Sequence, residues 1–255
     1  MSDAITMVRR NVRHTRRNPI VLIMTIALPV FMLLLFVGIF GDALKAGFGA
    51  AAQGKDYIDY LLPGILLMAV GYGASQTAMA VNQDVTTGII SRFRTMAISR
   101  ASVLTGHVLV STVRTLVSAA LVTAVAVLLG FRSGAGVAGW LGAAGLLALL
   151  TLALTWLAVA VGLAARSAEG TTPFLFVVQL LPFVSSAFVP PGSMSGAVRW
   201  FAANEPFTPV IDAIRALLLG TPVPHGGAVA LAWCAGLAVA GYGWARLLFR
   251  RDPAT

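Results

Sequence analysis

The chain has 255 residues, 58% hydrophobic and 11% charged, with a mean hydropathy of +0.87. That composition excludes a soluble globular domain and defines a multi-span membrane protein. A net charge of +9 raises nucleic acid as a partner, but the positive residues are strung between apolar runs and form no stripe interleaved with aromatics, so no nucleic-acid role follows.

Residues 1–18 come first. Ile5, Val8 and Val12 recur at helical spacing opposite the arginines, which predicts an interfacial helix on anionic headgroups. A basic tail acting only as a topology signal is the plainer alternative. The apolar run that follows is too long for a signal-peptide core, so it is read as retained. Six runs near 20 residues predict transmembrane helices at about 20–40, 61–81, 108–130, 140–165, 173–189 and 229–248 in one membrane domain covering 1–255. The alternation expected of membrane strands is missing. A cytosolic N-terminus puts twelve arginines inside, from Arg9 to Arg251, against Lys45, Lys55, Arg132, Arg199 and Arg215 outside, so both termini are expected to be cytosolic.

The loop 49–55 reads GAAAQGK, the first seven positions of a phosphate-binding loop. Asp56 replaces the Ser or Thr that would hold magnesium, and no strand leads into the loop, so the match is assigned to chance. The segment 84–107 between the second and third runs is basic and amphipathic. Ile89, Ile90, Phe93, Met96 and Ala97 fall on one helical face, with Arg92 and Arg94 elsewhere, which predicts a short cytosolic helix that docks on something.

Arg114 is the one charge expected within a span. It either snorkels to the cytosolic surface or pairs with Glu169 or Asp84. Tyr72, Ser75, Gln76 and Thr77 in the second run, and Gln179, Ser185 and Ser186 in the fifth, are polar residues of the kind that either line a path or cement helix packing. In the segment 190–227, Thr208 and Pro209 predict a helix N-cap and first turn, and Gly220 its stop. Val210, Ile211, Ile214, Leu217 and Leu218 form its apolar face while Asp212 and Arg215 are expected to be wetter. The helix is therefore predicted to be re-entrant or interfacial.

No catalytic or metal constellation is legible. His14, His107 and His225 lie in three separate segments, the lone Cys234 is mid-span, and no carboxylate lies within a predicted span. With neither an ATP site nor a proton relay, active transport by this chain requires energy from another polypeptide. An ATP-independent transporter or channel, or a membrane-embedded lipid-modifying protein, are the rival classes. The first would move substrate without ATP, and the second requires a polar catalytic cluster.

The whole length resembles a permease of the type-2 ATP-binding-cassette exporters, in the branch typified by daunorubicin-resistance permeases. The resemblance is carried by Leu62-Pro63-Gly64, Thr87-Gly88-Ile89, Arg92-Phe93-Arg94, Ser99-Arg100, Phe188-Val189-Pro190-Pro191 and Asn204-Glu205-Pro206-Phe207-Thr208-Pro209 with Arg215. Ala97 stands near where relatives often carry proline. The resemblance implies an all-α permease, itself not an enzyme, seated as a homodimer or with a sister permease on cytosolic ATPase subunits that hold the ATP and magnesium. It makes Thr87, Gly88, Ile90, Arg92, Phe93, Arg94, Met96 and Arg100 the coupling segment. It also puts the substrate path at the first, second and fifth spans, near Tyr72, Ser75, Gln76, Gln179, Ser185 and Ser186. The implied cargo is an amphiphilic drug, polyketide or lipid extruded across a bacterial plasma membrane.

Overall fold

A computed structural model describes residues 19–47, 57–88, 100–223 and 226–250. Among them the chain is all-helical, as it must be where a lipid core offers backbone groups no water to bond. The eight α-helices are α1 Pro19–Gly47, α2 Tyr57–Thr86, α3 Arg100–Leu128, α4 Val137–Ala164, α5 Thr172–Leu180, α6 Gly196–Asn204, α7 Phe207–Leu219 and α8 Gly226–Arg250.

Four of them are long and apolar enough to cross a membrane: α2, α3 from Leu104, α4 and α8. Helix α1 contributes the apolar stretch Thr25–Ile39, and Glu169–Val184 is a shorter apolar helical stretch. The run predicted as a fifth span, 173–189, is therefore not one continuous helix. α5 ends at Leu180, a 3-10 turn occupies Leu181–Val184, and Pro182 inside that turn has no N–H to continue the ladder. The predicted interfacial helix at 1–18 lies outside the described residues.

Helix α2 is the centre of the bundle. Its apolar window is 83% buried, against 22% for α8, and it packs on α1, α3, α4, α5 and α7. Small residues permit this crowding. A Cβ at Gly64 would stand 2.5 Å from that of Ala187, and one at Gly71 would stand 3.0 Å from Val178 Cγ1, so α5 and the chain after it lie directly on the α2 backbone.

Prolines within membrane helices leave carbonyls that other groups must satisfy. Pro29 in α1 cannot donate to the Thr25 carbonyl one turn earlier; the Ser118 hydroxyl of α3 donates to it instead, at 2.9 Å. That bond fixes α1 against α3 with an otherwise homeless acceptor.

Candidate functional site

At its Thr86 end, α2 closes on a left-handed glycine. Gly88 has φ 72°, its N–H donates to the Val85 carbonyl at 3.0 Å, and the Thr87 N–H donates to the Gln83 carbonyl at 3.0 Å. The chain thus turns off α2 where the predicted coupling segment begins. Ile90, Arg92, Phe93, Arg94 and Met96 lie outside the described residues, as does the Arg100 side chain. Asp84 and Arg100 prove to be continuous with α2 and α3, so any separate coupling helix is shorter than 84–107. Three contacts tie this end together. Asn82 donates to the carbonyls of Ala165 at 2.6 Å and Gly162 at 3.4 Å, where α4 ends, and Asp84 meets His107 Nε2 at 3.1 Å.

The opposite end of α2 holds a second knot. Arg215 of α7 lies 3.8 Å over the Tyr60 ring. Its Nη1 donates to Asp212 Oδ1 at 2.6 Å, its Nη2 to the Ser186 carbonyl at 2.7 Å and to the Tyr60 carbonyl at 3.1 Å, and its Nε to that same Tyr60 carbonyl at 3.2 Å. The Tyr60 hydroxyl also donates to the Ser186 carbonyl, at 2.9 Å, and the Ser186 hydroxyl to Asp212 at 2.8 Å. Arg215 is therefore not the wet residue predicted: its side chain is 14% exposed and its guanidinium joins α2, α7 and the chain after α5.

Helix α7 is packed into the bundle. Val210, Ile211, Ile214 and Leu218 are buried and the helix packs on α2, α4 and α8. It starts at Phe207, one residue before the predicted cap Thr208. The cap is the Glu205 carboxylate, which accepts from the backbone N–H of Phe207 at 2.7 Å and from that of Thr208. Thr208 instead receives the Ser186 N–H on its hydroxyl at 3.0 Å. Gly220, with φ 68°, ends the helix as predicted.

Of the predicted path residues, Ser185 and Ser186 are buried and committed to structure, Ser185 donating to the Pro182 carbonyl at 2.7 Å. Ser75 is buried and bonds the Gly71 carbonyl one turn back at 2.9 Å, while Thr77 donates to Ser111 at 2.8 Å. Tyr72, Gln76 and Gln179 are half-buried. Tyr72 and Gln76 are four residues apart on one face of α2, and Gln179 follows Val178 at the crossing with α5, so these three are the path candidates with surface to offer. A separate apolar cleft of about 760 Å³ between α3 and α4, lined by Leu116, Ala120, Trp140 and Ala144, includes none of them.

Arg114 makes neither predicted ion pair: Asp84 faces His107, Glu169 is exposed, and the buried Nε and Nη2 of Arg114 have no hydrogen-bond partner. Those two atoms are enclosed by protein, while the residue as a whole is partly buried. Sequence reasoning missed Tyr60 and the capping role of Glu205. The latter had a signal in the acidic residue standing two positions before the first helical N–H.

The bundle defines a multi-pass membrane protein whose described residues hold no cluster of metal-ligating side chains. Residues 3–219 match the ABC-2 type transporter family, and the chain belongs to it. It is 30% identical over 224 residues, 87% of this chain and 76% of the relative, to a daunorubicin resistance ABC transporter permease protein, DrrB1, of Streptomyces coeruleorubidus. It is 29% identical over 192 residues, 70% of this chain and 65% of the relative, to a probable doxorubicin resistance ABC transporter permease protein, DrrC, of Mycobacterium tuberculosis. Permeases of this family are non-catalytic membrane components that pair with ATPase subunits.

Proposed function

We propose that this chain is the permease of an exporter that extrudes an amphiphilic drug, polyketide or lipid across a bacterial plasma membrane. The match to the transporter family along residues 3–219 carries the reading, supported by two relatives named for drug resistance. Six spans with cytosolic termini, two permeases per assembly, and a separate cytosolic ATPase holding ATP and magnesium complete the arrangement. In it α1, the 173–189 stretch and the four long helices all cross the bilayer, and the arginine bias sets their direction. The segment around Thr87 to Arg100 docks in the ATPase, and Tyr72, Gln76 and Gln179 face the cargo.

Reconstitution of the chain with its partner ATPase subunit tests this. Inverted vesicles are expected to accumulate a fluorescent amphiphile only with ATP and only with both subunits. Equal uptake without ATP would instead identify a passive channel or a secondary transporter.

A further inference from the structure

Arg114 lies ten residues beyond Leu104 in the 25-residue span of α3, about 15 Å along it and near its middle. A guanidinium at that depth is costly unless paired, and its Nε and Nη2 are buried without a partner. Every carboxylate whose side chain is described is engaged or exposed. Asp59 accepts from the Arg132 N–H, Asp84 meets His107, Glu205 caps α7, Asp212 holds Arg215, and Glu169 faces solvent. On the same face of α3 the Ser111 hydroxyl accepts from Thr77 and the Ser118 hydroxyl donates to the Thr25 carbonyl, and neutral hydroxyls of this kind bring no charge to balance the guanidinium. The Tyr72 phenol, on the face of α2 that also carries Gln76, is an electrostatic neighbour of Arg114. Among the described residues the protein thus holds a five-donor cation inside the bundle and supplies it with no anion.

We propose that Arg114 receives the anionic group of a membrane-borne amphiphile, a carboxylate, phosphate or sulfate, beside Tyr72. A planar fork of donors in a low-dielectric setting is matched to such oxygens, and it opposes a cationic headgroup by like charge. The anion comes either from the cargo or from a resident anionic phospholipid. Only the cargo case rests on the exporter reading.

The full-length chain, purified in neutral detergent, is titrated with hexadecyl phosphate and with hexadecyltrimethylammonium, and binding is read by native mass spectrometry. The phosphate is expected to bind at least tenfold more tightly, Arg114→Gln to abolish that preference, and Arg114→Lys to retain part of it. Without ligand, Arg114→Gln should unfold at the same temperature as the native chain or higher, since an unpaired buried charge has been removed. Hexadecyl phosphate should raise the unfolding temperature of the native chain alone. No preference in the native chain, or an undiminished one in Arg114→Gln, overturns the proposal. So does a lower unfolding temperature in Arg114→Gln with no ligand shift in the native chain, which marks a structural cation.

If hexadecyl phosphate stimulates hydrolysis by the complex with the ATPase through Arg114, the anion belongs to cargo. If phosphatidylglycerol co-purifies in an Arg114-dependent way without such stimulation, it belongs to resident lipid. Failure of ATPase pairing leaves the binding readout intact, so the exporter reading and this one fail separately.

Discussion

Glu205 shows how one buried carboxylate decides where a helix begins. It is 4% exposed, and burial pushes its carboxyl pKa up while the N–H groups of Phe207 and Thr208 pull it down; burial is the larger effect. A folded-state pKa above the unfolded one means the folded chain binds more protons, so this group favours folding at low pH and that contribution is lost as pH rises through its folded pKa. Glu205→Gln keeps an acceptor and removes the titration. Thermal unfolding in detergent should show the native chain losing stability relative to Glu205→Gln as pH rises through the carboxylate range. Glu205→Ala, which deletes the cap, should cost about 1 kcal/mol or more at every pH. A native chain that instead gains on the Gln variant with rising pH would show that the two N–H bonds outweigh desolvation.

At the scale of elements, the α2–α5 contact carries the sharpest constraint. A Cβ at Gly71 would already stand 3.0 Å from Val178 Cγ1, so the much larger Gly71→Leu should overpack the crossing and destabilise by about 1–3 kcal/mol in a thermal or denaturant assay. Gly236 on α8 has open space beside it, and Gly236→Ala should leave stability unchanged or slightly higher. The long helices were legible because hydrophobic length is a local property, and Gly220 was legible because a left-handed stop demands glycine. The broken fifth run was not, since an apolar count sees Pro173 to Val189 as one stretch and cannot see the 3-10 turn at Leu181–Val184. The Arg215 knot was hidden for another reason. Its bonds to Tyr60 span 155 residues, and the polarity of Asp212 and Arg215 reads as solvent exposure until a partner helix is known.

In the whole molecule, α2 joins two anchored ends through the core. Thr87 and Gly88 close it where Asp84 meets His107, and the Tyr60–Arg215 knot holds the other end, about 40 Å away along the helix. Because α2 is buried over most of its length and packs on α5 and α7, a push delivered beside Gly88 would be carried to those elements if α2 moves as a rigid body. The push has to arrive through a contact, and the apolar residues Ile90, Phe93 and Met96 with Arg92 and Arg94 are the chemistry available for one. If they sit in a groove of the ATPase, Phe93→Ala removes a desolvated aromatic anchor worth about 2 kcal/mol, roughly a thirtyfold weakening of the complex. Phe93→Ala, and separately the double change of Arg92 and Arg94 to Ala, should reduce ATPase co-purification or uncouple hydrolysis from export while leaving membrane insertion intact. Contact with lipid alone predicts neither effect. Both variants retaining partner binding, substrate-stimulated hydrolysis and full export would remove this segment from the mechanism and leave the drive to enter α2 elsewhere.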